Sequence, residues 1–246
     1  AQTVRTMRFP SCFQRGGALV ESAVALGAVL LVGLTAVEIM HWQMTRQLVQ
    51  VALTEAARAG AVDHARPASI ARAFEAALLP RYAAPGGESA RARLDAHLAR
   101  VAERAGMPAW RMWIVQPSAA AYDDFREKGL PLPAEARGLP ALRNDYQAEQ
   151  HDAHRSRWPQ GRGPKSGINI FEANMLHIRL VYLVEPMVPA LRSVLQIAAG
   201  LTGESCSRRA LSAGLLPLRL DIEMDMQSHP VRWPAAHGVS PEVQSC

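Results

Sequence analysis

Three groups of residues in this chain have the types and spacing to do chemistry. Glu21 is an acid at the mouth of an apolar run extending from Ser22 to Val37. A carboxylate inside a membrane-length apolar segment costs several kcal/mol unless something neutralises it, as an amine lying alongside would. His151 and His154 stand three apart with Asp152 between them, a spacing that could clip a metal ion on a helix. They lie in a polar, arginine-rich stretch with no obvious third ligand, so solvated surface is the plainer account. Asp221, Glu223 and Asp225 alternate along one strand face and could gather a cation. A solvent-facing acidic row next to Arg219 is again the simpler account.

Other chemistries leave no trace. No nucleophile elbow, phosphate loop or dinucleotide fingerprint occurs. Ser22 and Ser118 have no base near them in sequence, and no Cys/His spacing is of the zinc type. The sequence offers no active site, metal site or cofactor site, and a non-enzymatic protein is expected. The net charge of +5 and pI near 9.6 do not argue for nucleic acid. Three of the basic residues, Arg5, Arg8 and Arg15, sit in the N-terminal leader, and the remainder is close to balanced. No long basic stripe with interleaved aromatics appears, and Arg208-Arg209 alone is too little.

The elements that must position these residues begin with the apolar run. Ala18 to Met40 would form a helix of about 34 Å at ~1.5 Å per residue, enough to cross a bilayer. Three arginines and no acid precede it, so the positive-inside rule predicts a cytoplasmic N-terminus and a periplasmic chain after His41. The rival is a cleaved secretory signal with Leu34-Thr35-Ala36 at its cut site. Such signals have an apolar region of only ~7–15 residues, and Glu21 would fall inside it. The helical pattern also continues without a Pro or Gly break, which favours an anchor. On that topology Cys206 and Cys246 lie on the oxidising side, Cys12 on the other. A Cys206–Cys246 disulfide would close a loop of about 40 residues and contribute roughly 4 kcal/mol. The alternative is two free thiols.

Helical spacing carries on past the bilayer through Met44, Leu48, Val51 and Ala52, then Leu53, Ala56, Ala57 and Ala59. Gly60 and the Asp63–Pro67 stretch end it, giving a stem of about 63 Å. Pro67 opens a second helix with Ile70, Phe74, Ala77 and Leu78 on one face. A third runs from Glu88 to Ala105, stopped by Gly106 and Pro108. Trp110 to Val115 has strand composition, and Pro117-Ser118 caps a short helix ending at Phe125. Gly129 to Gly167 reads as a long irregular excursion, with a short pairing segment near Asn144. His177 to Val184 alternates as a strand, and Pro186 to Gly200 is an apolar helix. From Leu216 to Gln227, six apolar residues alternate with polar ones or proline, the pattern of a half-buried antiparallel strand. The expected fold is α+β. A single N-terminal transmembrane helix extends as a stem, followed by a helical segment and a small antiparallel sheet packed with helices. The expected divisions are a leader (1–16), the transmembrane helix and its extension (17–61), and an exported periplasmic domain (62–246).

Several stretches together resemble the TadE-like proteins, minor pilin or pseudopilin components of tight-adherence (Tad, or Flp) pilus systems. They are Gly16-Gly17-Ala18-Leu19-Val20-Glu21-Ser22-Ala23, then Ala56-Ala57-Arg58-Ala59-Gly60-Ala61, the segment from Ile114 to Phe125, and that from Ser166 to Leu180. Val188-Pro189 and Met226-Gln227-Ser228-His229-Pro230 are similar to the family's closing marks. Many relatives carry Phe after the glutamate, where this chain has Ser22. The resemblance implies cleavage by a prepilin peptidase after Gly16, with Gly17 becoming the N-terminus and Glu21 the fifth residue, its carboxylate paired with the new amine. It also implies partners: other pilin-like subunits and the inner-membrane pilus assembly platform. Two alternatives stay open. One is a membrane-tethered periplasmic hydrolase using Gly129–Gly167 as a lid, and the other is an assembly factor that is never processed.

Overall fold

The computed structural model describes residues 17–241, with side chains from Glu21 onward. It is α+β: a long N-terminal helix, further helices and one four-stranded sheet. Helix α1 runs Gly17–Val62, 46 residues without a proline. Contacts divide the chain into two units between His41 and Trp42. The reason lies in how α1 uses its side chains. Before His41 most of them stand exposed. After it, Val49, Ala52, Leu53, Ala56, Ala57 and Ala61 are all buried in the core of the second unit.

That buried stripe differs from the expected one. Met44 and Val51, read as core-facing, are 63% and 58% exposed. The packed face is turned toward the alanine-rich side because small residues let the helix backbone approach the sheet closely. Gly60 is the tightest point: a Cβ there would lie 2.8 Å from Ile70 Cγ1 and 2.9 Å from Leu176 Cδ2. Beyond α1 the chain turns through His64 and Ala65, both at positive φ, and Pro67 starts α2 (Pro67–Leu78) at its first turn. Phe74 of α2 packs edge-on against Trp110 at 5.1 Å and Tyr182 at 6.4 Å, tying α2 to the sheet.

The strands are β1 (Trp110–Gln116), β2 (Met175–Val184), β3 (Leu216–Asp225) and β4 (Val239–Ser240), in the order β3-β2-β1-β4. The two long strands pair antiparallel in register from Met175↔Asp225 to Val184↔Leu216, as their alternation predicts. β1 joins β2 antiparallel. The short β4 adds to β1 in parallel, so the sheet is mixed and not the purely antiparallel one expected. Two residues of strand inside a proline-rich tail carry no periodicity to announce this. One sheet face, with Leu176, Ile178, Leu180 and Tyr182, meets α1 and α2. The other is covered at one end, where Leu183 packs with Val101 and Ala105 of α3 (Ala90–Ala105) and Ala210 of α8 (Ser205–Ser212).

Caps define the shorter helices. Ser89 accepts a hydrogen bond from Ala92 N–H to open α3, and Ser118 accepts from Ala121 N–H to open α4 (Ala119–Phe125). Asn169 and Glu172 form a reciprocal capping box on α6 (Ile170–Ala173). The excursion from Gly129 to Gly167 is more ordered than expected and contains α5 (Gln147–Arg155). No residue of α5 is buried, and its N-terminal Tyr146 is left-handed with no side-chain cap, so the usual helix signals are missing. Near Asn144 the expected pairing takes the form of isolated bridges, Arg126↔Leu142 and Ala141↔Val231. Helix α7 (Pro189–Ala199) packs on α8, which has no counterpart in the sequence reading.

Gly60→Ala is expected to destabilise the protein by about 1–3 kcal/mol through overpacking, read from unfolding of the purified chain. Gly27→Ala, where a Cβ meets nothing within 4 Å, should leave stability unchanged.

Candidate functional site

The surface with the least ordinary physical chemistry is the first unit. From Val24 to Met40 the large apolar side chains stand 50–70% exposed. Its most apolar 18-residue window has a mean hydropathy of 2.3, and the helix is long and apolar enough to cross a membrane. Apolar residues occupy every side of it, so no single stripe could be hidden by one packing partner. Thr35 hides its polarity by donating from Oγ1 to Leu31 O at 2.8 Å. Glu21 is exposed at the head of this surface. Gly17 lies in α1; Gly16 lies outside the described residues. Glu38, near the end of the apolar run, is buried.

The histidine pair goes to packing. His154 stacks on Trp158 at 4.9 Å and meets Phe125 edge-on at 5.2 Å, while His151 lies 5.2 Å from the ring of Phe171. Both rings are therefore half-buried on α5, where solvated surface was expected. Burial and the nearby Arg157 push the His154 imidazole below its ordinary pKa. Asp152 turns to Arg155. Among the described residues no group of three or more His, Cys, Asp or Glu is arranged to hold a metal ion.

The acidic row on β3 already has partners. Arg179 Nε donates to Asp221 Oδ1 at 3.0 Å, and His177 Nε2 lies 2.9 Å from the same oxygen. His177 Nδ1 is 3.7 Å from Glu223. Partial burial works the other way, but the hydrogen bonds from His177 and Arg179 hold the Asp221 carboxyl below the usual range. Asp225 stays exposed. Arg219, next in line, pairs with Glu204 and donates to Ser207 Oγ at 2.8 Å. These cross-strand pairs contribute about 0.2–1 kcal/mol each and leave little reason for the row to bind an ion. Cys206 is disulfide-bonded, and its partner lies outside the described residues, as do both Cys12 and Cys246.

Two polar clusters leave no local signal in the sequence because their members are far apart along the chain. Asp124 accepts from Ser166 N–H and Ser166 Oγ, both at 2.7 Å, and from Lys165 N–H at 3.0 Å. Gly163 sits so close to that carboxylate that a Cβ would not fit. Asp124 thereby closes the excursion. The second cluster secures the end of α1. His64 N–H donates to Ser228 Oγ at 2.8 Å, and Ser228 Oγ donates to Ala61 O at 2.9 Å. His64 O accepts from Trp233 Nε1 at 2.9 Å, and Asn144 N–H donates to His229 Nδ1 at 3.1 Å. That last bond requires a neutral imidazole. Burial, with His64 and Arg143 nearby, lowers the His229 pKa against the opposing pull of Asp145.

The loop from Arg126 to Pro140 folds around a cleft of about 510 Å³. Leu130, Leu132 and Leu139 make its apolar wall, and Arg126, Lys128 and Arg137 its charged rim. Glu127 is tied to Arg143 at 2.5 Å. No serine, threonine, cysteine or histidine is among the residues lining it, and its ionisable groups are Arg126, Glu127, Lys128 and Arg137. The chain matches no protein-family model, no curated protein and no solved structure.

Because the His229, His97 and His154 imidazoles are all held below their ordinary pKa, the unfolded chain binds protons that the native one does not. Stability should be fully present above about pH 6.5 and decline as pH falls through and below that value. Thermal melts across this range test it, and His229→Gln should flatten the slope.

Proposed function

We propose that this chain is a membrane-anchored, non-enzymatic subunit of a pilin-like assembly, of the TadE-like kind that its sequence resembles. The observation that carries the reading is the exposed apolar surface from Val24 to Met40 with the acid Glu21 at its head. Such a surface in water would expose far more contiguous apolar area than a soluble monomer tolerates. A bilayer, and afterwards a bundle of like helices, removes that cost. The arginines of residues 1–16 set the N-terminus in the cytoplasm and the α+β unit in the periplasm.

Within this reading Glu21 is the residue that acts. Its carboxylate lies one turn past the Gly16–Gly17 bond. Hydrolysis of that bond releases a glycine amine four residues ahead of the acid. Amine and carboxylate then neutralise each other in a medium of low dielectric, where either alone is costly. Paired across two chains, they fix how far one helix is displaced along its neighbour. The second unit, with its ion-paired surface, serves as the exported head. The partners are a prepilin peptidase, other pilin-like subunits and an inner-membrane assembly platform.

Mass-spectrometric mapping of the membrane-bound protein, from cells with an active prepilin peptidase, is expected to place its first residue at Gly17. A start upstream of Gly17 overturns processing and leaves an uncleaved assembly factor. Glu21→Ala should cut incorporation into sheared fibres by about tenfold or more while membrane retention and folding of the head persist, since an uncompensated amine costs several kcal/mol in an apolar bundle. Undiminished incorporation would remove the role given to Glu21.

A further inference from the structure

The second unit carries an apolar surface that its own core does not use. On and around α7, Met187, Val194, Ile197 and Leu201 are 59%, 56%, 75% and 88% exposed. Within α7 the three-residue spacing puts Val194 and Ile197 on one side of the helix, away from the buried Leu195 and Ala199, and Met187 and Leu201 flank its two ends. A helix with one apolar side in the core and a second one exposed has an unmet partner.

The topology says which end of the unit this is. Gly60 of α1 lies against Leu176, near the start of β2. Thr45, fifteen residues earlier, accepts a hydrogen bond from Arg81, whose charge is felt by Tyr182 near the end of β2. α1 and β2 therefore run in opposite directions, and the end of β2 at Val184 belongs to the same end of the unit as Trp42. The α7–α8 hairpin is inserted there, between Val184 and Leu216. It springs from the end at which the chain enters from the apolar segment.

Its charge is one-sided. Glu185 accepts from Arg104 at 2.5 Å and Arg192 at 2.8 Å, and Glu204 is paired with Arg219. Arg208 and Arg209 on α8 are exposed, and neither has a carboxylate partner among the described residues. Arg208 donates to Thr202 O at 3.1 and 3.0 Å, next to Leu201 in the chain, and exposed apolar side chains with arginines nearby are the composition of an element that lies in a membrane interface. A protein surface would have to offer both an apolar hollow and acid. An anionic bilayer supplies both at once.

We infer that the α7–α8 hairpin docks the second unit onto an anionic lipid surface, with Val194, Ile197 and Leu201 entering the acyl boundary and Arg208 and Arg209 meeting lipid phosphates. The inference rests on the membrane-anchor reading. Docking holds the head against the membrane before assembly and must be released when the subunit leaves it.

The test uses the full chain in nanodiscs of phosphatidylcholine alone or mixed with phosphatidylglycerol, followed by hydrogen exchange. In mixed discs the amides of Pro189–Ala199 should exchange about tenfold more slowly than in phosphatidylcholine discs, a difference of ~1.4 kcal/mol. Ile197→Asp with Leu201→Asp should abolish the slowing, and Arg208→Glu with Arg209→Glu should remove its dependence on phosphatidylglycerol. Unchanged exchange in β2 and β3 shows that each variant is folded. Equal exchange in both discs, or slowing that scales with the number of chains per disc, overturns the inference while leaving the anchor intact. A chain that does not enter the discs at all overturns the anchor itself, and the docking falls with it.

Discussion

The packing of α1 against β2 is the contact on which the second unit depends. Ala52, Ala56, Gly60 and Ala61 present almost no side chain, so the helix can lie close to Leu176, Ile178 and Leu180 while Val49 and Leu53 fill the flanks. The loop that follows is then fixed by hydrogen bonds from residues more than 160 positions away in sequence, through Ser228, His229 and Trp233. The same helix meets an opposite demand before His41, where its apolar side chains have no protein to pack against. Its composition changes from uniformly apolar to one-sided where the units divide.

Segments far apart in the sequence are brought together by polar contacts. The segment ending at Phe125 and the segment starting at Ser166 meet through Asp124, whose carboxylate receives three donors from Lys165 and Ser166. Ser118 and Asn169 cap the two short helices that flank this joint, and Phe125 and Ile170 share its apolar interior. These residues fix the two segments against one another. The ion pairs on the outer sheet face and around Glu185 serve the same end, setting register and anchoring helices at partly exposed positions where each contributes little alone.

Much of this architecture is legible in the sequence where one side of an element is buried. The alternation of β3 and β2 is visible because their inner residues meet α1 and α2 and their outer ones meet water. α3 and α4 announce themselves through Ser89 and Ser118. What escapes follows from the absence of such asymmetry. α5 buries nothing, β4 is two residues long, and α8 is a short polar helix on another helix. On α1 the apolar residues are dense enough to fit several faces, and only the sheet decides that Met44 and Val51 turn outward. The two polar clusters join residues from distant segments, for which local pattern holds no signal. Of the site, Glu21 and the apolar run can be read directly, whereas the packing of His151 and His154 against aromatic rings cannot.

The central claim is that the apolar half of α1 lives inside a bilayer. Washing membranes from cells that make the full chain with alkaline carbonate tests this most directly, because it strips proteins held only by surface charge or by other proteins. The account predicts that the chain stays with the lipid and comes free only in detergent. Release into the wash would contradict it.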